Sequence, residues 1–429
     1  MKKPSNEISN LTFSAQVNSW YEISSSIGLE LCKNIDISVI SKNLRSLQRG
    51  LTGDRKLITS SYLDQQRILQ SYLLYYWPIS FYEVSALLYE LRTRAVLPKI
   101  HSVLDLGSGP GSASFAAQIF GAIRASLVDK SKHALAAASA IAAQGKVNGL
   151  NLEIIEHCAG IEDFCAPKGE SYDLIIAANS LNELWPNSPD GILKRRDIIL
   201  RFLPNLRPEG IIIIVEPSAH YTSIPLLELR DSLLAADLDG ISLACVGPCL
   251  HSFQCPMLSK EKKPCFSEWQ WNLPPLVREL ADCAGLDRDS LKASWIALKK
   301  HEKQEKDKEA LPDNETTSSL DSSSADSLYS AADLGDSGDL FGFRGLRGRI
   351  VSEPMLNKAG RVRYIVCTNS ALRVTISALR YDPTAENLGF FGLGRGDLIA
   401  ANGLEIRGES HFCIAPCSQL EVLMRAPRI

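Results

Sequence analysis

The chain has 429 residues, of which 45% are hydrophobic and 22% charged, and a formal net charge of −3. This composition fits two or three folded domains with ample core. Apolar strings such as "GIIIIV" (Gly210 to Val215) are too short to span a bilayer, and "MKKPSNEISN" leads into no apolar stretch, so neither a membrane span nor a secretory signal is expected.

Residues 1–100 read as a helical region. "YLDQQRILQSYLLYYWPISFYEVSALLYELRTRA" (Tyr62 to Ala95) has apolar residues at helical spacing, and Pro78 is expected to divide it into two helices. From Ser102 the pattern changes. "SVLDL", "ASLVD", "LEIIE", "YDLIIAA" and "GIIIIVE" are short apolar runs separated by helical stretches. "GISLACV" and "ASWIALKK" make a sixth and a seventh. Such alternation implies a mostly parallel sheet covered by helices on both faces. The α/β domain is assigned to 101–300.

Within it, "VLDLGSGPGSASF" leaves a strand and opens a helix. Gly107, Gly109 and Gly111 permit a sharp turn and close approach of a ligand, and the helix N-terminus beyond favours negative charge. Asp105 precedes the loop. Asp129 ends the next strand, where a carboxylate can accept hydrogen bonds from both ribose hydroxyls. "ANSLNELW" (Ala178 to Trp185) follows the fourth strand and offers Asn179, Asn182 and Glu183. Asn179 and Glu183 are expected to start a helix and line a pocket. His220 is expected to be exposed and inert.

Residues 247–266, "GPCLHSFQCPMLSKEKKPCF", hold Cys249, Cys255 and Cys265 among three prolines, with little helix or strand periodicity. Three such thiols can be plain reduced cysteines, zinc ligands or iron–sulfur ligands. The spacing lacks the close pair of a usual structural zinc site, while a cluster tolerates wider separations. Candidates for a fourth ligand are Cys245, His251, Cys283, Cys367, Cys413 and Cys417. The total of eleven cysteines is odd, which argues against a disulfide framework. Cys32, Cys158, Cys165, Cys245 and Cys283 read as small buried apolar residues.

Residues 301–340 read as a disordered linker, because eight serines and seven acids in 311–340 cannot build a core. Residues 341–429 hold β-rich runs, with Ala401-Asn402-Gly403 as a hairpin turn, and read as a small β-barrel or sandwich. Twelve Lys and Arg against seven acids make this part mildly basic. Arg344, Arg347 and Arg349, with Arg361 and Arg363 nearby, are the expected RNA contacts.

The acid followed by G-x-G-x-G resembles the first motif of class I S-adenosylmethionine-dependent methyltransferases. That resemblance implies a Rossmann-like seven-stranded sheet, with Asp105, Gly107, Gly109 and Gly111 at the methionine part of the cofactor, Asp129 at its ribose and Asn179 in the same site. No Asn/Asp-Pro-Pro-Tyr follows the fourth strand. Pro248-Cys249 only superficially matches the Pro-Cys of cytosine methylases, so no catalytic residue is assigned.

The segment "CLHSFQCPMLSKEKKPCF", with "LKASWIALKK" and later "GRIVSEP" and "GRVRYIVCT", resembles the methyltransferase-like small-subunit ribosome assembly factors of mitochondria and their bacterial relatives. The resemblance runs from about residue 60 to the end, outside the linker. It implies a 4Fe–4S cluster on Cys249, Cys255, Cys265 and Cys367, contact with ribosomal RNA of the small subunit, and a bacterial cytoplasmic rather than mitochondrial setting. It leaves open the alternative of an active ribosomal RNA methyltransferase. The chain departs from the family pattern in "PCFSEW", which has no His after Cys265, in "GRGD" (Gly394 to Asp397) where Trp-Gly-Asp is common, and in "EPSAHYTS" after the fifth strand.

Overall fold

The computed structural model describes residues 10–31, 36–57, 61–186, 188–259, 261–302, 345–380, 384, 387–408 and 410–427. Cys32, Arg344 and the expected linker lie outside them, except that His301 and Glu302 end a strand. No helix among the described residues is long and apolar enough to cross a membrane.

Three helices precede the sheet: α1 (Asn10–Glu30), α2 (Ile37–Gln48) and α3 (Gln66–Thr93). Asp36 caps α2 by accepting from the backbone N–H groups of Ser38 and Val39. α3 runs unbroken through Pro78, contrary to the expected division. A proline inside a helix costs about 3 kcal/mol. Here Trp77, Phe81, Leu87, Leu91 and most of their neighbours are fully buried, so packing outweighs the local penalty. The indole of Trp77 also donates to Pro110 O at 3.0 Å, tying α3 to the glycine loop.

The sheet strands are β1 (Ser102–Leu106), β2 (Arg124–Asp129), β3 (Glu153–Cys158), β4 (Tyr172–Ala178), β5 (Leu206–Pro217), β6 (Ile241–Gly247), β7 (Ser267–Gln270) and β8 (Ser290–Glu302). The helices among them are α4 (Ser112–Ile119), α5 (Lys132–Val147), α6 (Gly191–Arg201), α7 (His220–Leu234) and α8 (Pro275–Ala284). Strand order is β3-β2-β1-β4-β5-β8-β6, with β7 also on β8. The first five strands are parallel, and β8 runs antiparallel between β5 and β6. That order, with one reversed strand inserted before the sixth, is the class I methyltransferase sheet. The isoleucine run of β5 shows why the sequence lacks alternation there. Ile211, Ile213 and Val215 enter the core under α1, α3, α4, α5 and α8, while Ile212 and Ile214 enter the one under α6 and α7.

The sheet has eight strands, not the expected seven. β8 is 13 residues long, and one of its edges takes two partners in turn. β6 pairs with its later part (Ile241↔Glu302 to Gly247↔Ala297), and β7 with its earlier part (Ser267↔Ala293 to Gln270↔Ser290). The cysteine loop is the excursion between them.

The second sheet comprises β9 (Leu346–Ile350), β10 (Met355–Leu356), β11 (Arg361–Thr368), β12 (Arg373–Leu379), β13 (Leu398–Asn402), β14 (Glu405–Gly408), β15 (His411–Cys413) and β16 (Gln419–Met424). Its order is β14-β15-β12-β11-β9-β13-β16, with β10 on β11. One core, including Ile350, Tyr364, Ile376, Phe390, Ile399 and Phe412, draws on strands across the sheet, which therefore curls around it. Asn402-Gly403 does not close a hairpin, because β13 pairs with β9 and β16 while β14 pairs with β15. Gly403, at φ +65°, turns the chain away toward the other end of the sheet.

The two units meet at a buried ion pair. Arg349 on β9, 4% exposed, donates to both Glu90 carboxylate oxygens at 2.5 and 3.0 Å and to Ser267 Oγ at 2.9 Å. Trp295 Nε1 donates to the same hydroxyl at 2.8 Å. Arg395 lies 4.0 Å over the Phe266 ring. Arg349 is therefore not an RNA contact; its charge is spent on the partner unit. Arg349→Met leaves buried Glu90 with the longer contact to Arg94 at 3.7 Å, and loss of the closer partner is expected to cost up to about 3–5 kcal/mol, read as a lower urea midpoint. Adding Glu90→Leu should restore part of the loss. An Arg349→Met midpoint equal to wild type would show that the junction does not depend on this pair.

Candidate functional site

The first site opens at the C-terminal edge of the parallel strands, where ligands bind in doubly wound sheets. Its pocket encloses about 710 Å³ of empty space out to its open mouth. Gly107, Gly109, Asp129, Asn179, Glu183, Tyr62 and Tyr72 are among its lining. Gly107 (φ +69°) must lack a side chain, since a Cβ there would come within 2.4 Å of Ser180 Cβ. Gly109 (φ +51°) faces space, because a Cβ would touch only Leu63 Cδ1 at 3.7 Å. Its N–H donates to Asp129 Oδ2 at 2.8 Å, and Ser131 N–H donates to Oδ1 at 2.8 Å. Each carboxylate oxygen thus takes a single backbone donor and keeps capacity for another.

Asn179 sits at φ +58°, with its amide donating to Ser80 Oγ at 3.2 Å. Asp105 and Gly111 stand behind the pocket wall. Gly111 precedes α4 and packs on Leu127, Phe115 and Ala138. Asp105 accepts from Ser114 Oγ at 2.8 Å, while its buried Oδ1 has no hydrogen-bond partner among the described residues. Burial pushes the Asp105 carboxyl up to about 7 and that of Glu183 up to about 8. Asn182 turns away from the pocket. Its backbone N–H donates to Glu216 at 2.9 Å, its side-chain amide donates to the same carboxylate, and Arg55 donates to Asn182 O and Oδ1, each at 2.9 Å. His220 is exposed at the start of α7.

The second site is the cysteine loop, and α7 is its template. Ser223 hydroxyl accepts from Cys265 N–H at 3.0 Å and donates to Cys265 O at 3.1 Å. Asp231 accepts from Cys255 N–H at 2.8 Å. Arg230, fully buried, donates to His251 O at 2.7 Å and Phe253 O at 2.9 Å. With Leu227, which packs on Cys255, these residues fall at i, i+4, i+7 and i+8, one face of a helix. Nothing in the sequence marked that face except this period.

Cys367 on β11 reaches the same place from the second sheet. Its sulfur lies 3.5 Å from His251 Nε2, and it shares an apolar cluster with Cys255, Cys265, Met257 and Val351. Cys249 hydrogen-bonds with Cys245, and that bond, with Arg230 and His251 next, brings its thiol down to about 5. Burial raises Cys255, Cys367 and Cys265, the last to about 11, and the Cys249 charge adds to each. The four thiols thus share one electrostatic neighbourhood. Among the described residues, no three His, Cys, Asp or Glu side chains form a group that could hold a metal ion.

The other cysteines depart from the expectation of burial. Cys158, Cys165 and Cys283 are exposed rather than buried, and Cys245 is partly buried. Cys158 ends the edge strand β3, and Cys283 lies on a solvent-facing turn of α8, where apolar neighbours in sequence point elsewhere.

Three solved structures similar in part to this chain are methyltransferases. An S-adenosylmethionine-dependent enzyme from Clostridium acetobutylicum is 16% identical over 38% of this chain and 61% of its own length, with a TM-score of 0.26. The plantazolicin methyltransferase BpumL is 13% identical over 67% of this chain and 99% of its own, with a TM-score of 0.32. The magnesium protoporphyrin IX methyltransferase of Synechocystis is 16% identical over 51% and 93%, with a TM-score of 0.29. No curated protein matches the chain. Residues 67–370 match the family described as mitochondrial small ribosomal subunit Rsm22. That match takes in the glycine loop, the cysteine loop and Cys367, and the chain belongs to the Rsm22 family.

Proposed function

We propose that this protein is a methyltransferase-like assembly factor that binds ribosomal RNA of the small subunit, with its two units joined by a 4Fe–4S cluster on Cys249, Cys255, Cys265 and Cys367. The observation that carries the reading is the convergence of three thiols from one loop and a fourth from the other sheet at the junction of the units. The donor set fits in its chemistry: all four are thiols, the usual cluster ligands, and Cys249 interacts electrostatically with Cys255, Cys265 and Cys367. When bound, the cluster supplies iron–thiolate bonds that join loop to sheet. The residues of the chain do the rest. Ser223, Arg230 and Asp231 hold the loop, and Arg349 with Glu90 fixes the approach of β9. Anaerobically purified wild type is expected to be brown, with iron and acid-labile sulfide in equal amounts, and Cys367→Ser is expected to lose most of both. A colourless wild type containing zinc would overturn the cluster.

The glycine-loop pocket fits S-adenosylmethionine. Asp129 retains acceptor capacity for the ribose hydroxyls, Gly109 leaves open space, and Asp129 and Glu183 place carboxyls beside the lining for a sulfonium charge. The sign of the pH dependence follows from burial. Glu183 is protonated below about 8 and Asp105 below about 7, so the pocket becomes more negative as pH rises. Affinity for S-adenosylmethionine by calorimetry is expected to increase from pH 6 to 8.5, more than for the uncharged sulfur of S-adenosylhomocysteine. Glu183→Gln should flatten the upper part. Equal pH profiles for the two ligands would remove this assignment.

The outer face of the second sheet supports RNA contact. Arg361 and Arg363 lie on the same side of β11 as Cys367, opposite the side that sends Val362, Tyr364 and Val366 to the core. Arg373 stands across from Cys367 on β12, and His411 and Arg407 continue the face. Burial, with Arg363, Arg361 and Arg407, holds His411 below its usual range. Buried Nε of Arg363 and Nη1 of Arg373 have no hydrogen-bond partner among the described residues. Crowded, underpartnered cations suit phosphates. In a filter-binding salt series with small-subunit RNA, Arg361→Ala/Arg363→Ala is expected to reduce the slope of log affinity against log salt by about 1.4–1.8. An unchanged slope would exclude this face.

A further inference from the structure

We propose that Arg230 is the counter-charge of the four-thiol site, donating its free N–H to a sulfur of the anionic group held there; this rests on the four cysteines being ligands. Three observations carry it. Arg230 is 0% exposed, in a place where a guanidinium survives only if its charge is balanced. Among the described residues its single carboxylate partner is Asp231, at 2.5 Å, and that carboxylate also receives the Cys255 N–H. The His251 ring lies 3.5 Å from one terminal nitrogen, and the other charged neighbours of the guanidinium are cysteines, with Cys249 and Cys245 foremost.

The hydrogen bonds of the guanidinium leave one donor over. One terminal nitrogen serves Asp231 and Phe253 O, and the other serves His251 O and lies 3.5 Å from His251 Nδ1. The Nε is buried and has no partner among the described residues. A buried N–H without an acceptor is rare in a folded protein and asks for an explanation. Thiolate sulfur, or inorganic sulfide bridging between metal ions, is an acceptor of the right charge in that neighbourhood. Hydrogen bonds to the sulfurs and nearby charge are the means by which a protein sets the stability and potential of such a group.

A zinc ion and an oxidised 4Fe–4S cluster on four thiolates are both dianions, so the chemistry of the counter-charge is shared. Of the other guanidiniums near the thiols, Arg349 and Arg94 share the Glu90 carboxylate and Arg395 pairs with Glu353. Arg230 is thus a positioning residue with two duties. Its terminal nitrogens hold the loop carbonyls, and its Nε and net charge face the bound group.

The test separates the two duties in the full-length chain. Wild type, Arg230→Lys and Arg230→Met are reconstituted anaerobically with iron and sulfide. Iron release to a chelator and the midpoint potential of the remaining cluster are then measured. Arg230→Met is expected to release iron at least tenfold faster. Its remaining cluster should have a potential lower by a factor of ten in the reduced-to-oxidised ratio, about 59 mV for one electron. Arg230→Lys keeps the charge and should stay near the wild-type potential while losing iron at an intermediate rate. An Arg230→Met cluster with the wild-type potential would reduce Arg230 to a loop clamp and overturn the inference, whatever its release rate. If Arg230→Met is insoluble, Arg230→Gln carries the same reading, since it retains an amide donor for the loop without the charge. A wild type that takes zinc instead of iron defeats the cluster reading alone. The variants are then read by zinc release, where a tenfold increase supports the counter-charge and equal rates overturn it. A wild type that holds neither metal overturns both.

Discussion

β8 presents one edge to two strands in succession, and this constraint organises the molecule. β6 ends at Gly247 opposite Ala297, and β7 begins at Ser267 opposite Ala293. The chain between them cannot stay in the sheet, because the same edge is already taken on either side. It must loop out and return nearly to where it left. That closed excursion places Cys249 near its start and Cys265 near its end, beside α7, which follows the neighbouring strand β5. Ser267, the first residue of β7, then meets Trp295 and Arg349 at once, so the return point of the loop is also the attachment point of the second sheet.

The thiols and the glycine-loop pocket leave the sheet on the same side. Gly107, Asp129 and Asn179 follow the ends of β1, β2 and β4, and the cysteine loop follows the end of β6. α3 touches both regions, with Tyr72 in the pocket wall and Glu90 at the junction. Its burial around Pro78 makes it part of the core rather than a cover over it. α3 is therefore a structural element of the methyltransferase-like unit, and the family match begins inside it rather than at β1.

What could be read in the sequence divides by the range of the interaction responsible. The strand series, the glycine loop and Asp129 rest on local pattern, and the topology agrees with them. The apolar run of β5 was legible because two covered faces remove alternation altogether. Pro78 was misread because the local cost of a proline is visible in sequence and the packing that overrides it is not. β7 was missed because "SEWQ" is short and half polar, and becomes a strand only through its partner. Arg349 looked like a surface cation because its partner Glu90 is 259 residues away. Arg230 and Asp231 carry no local signal of their role, since the loop that covers them is irregular.

The placement of Cys367 gives the site a history during synthesis. Cys265 leaves the ribosome 102 residues before Cys367 (367 − 265). At about 5–20 residues per second, that is an interval of roughly 5–20 s. During it the first sheet, α7 and three of the thiols can already be in place. The nascent chain therefore carries three thiols with one side open, and Cys367 meets them only when β11 has been made. Cys367 joins the other thiols once translation has reached β11, before β12 to β16 of the same sheet are made, and a chain stopped before residue 367 leaves the cysteine loop without its neighbour from the second sheet.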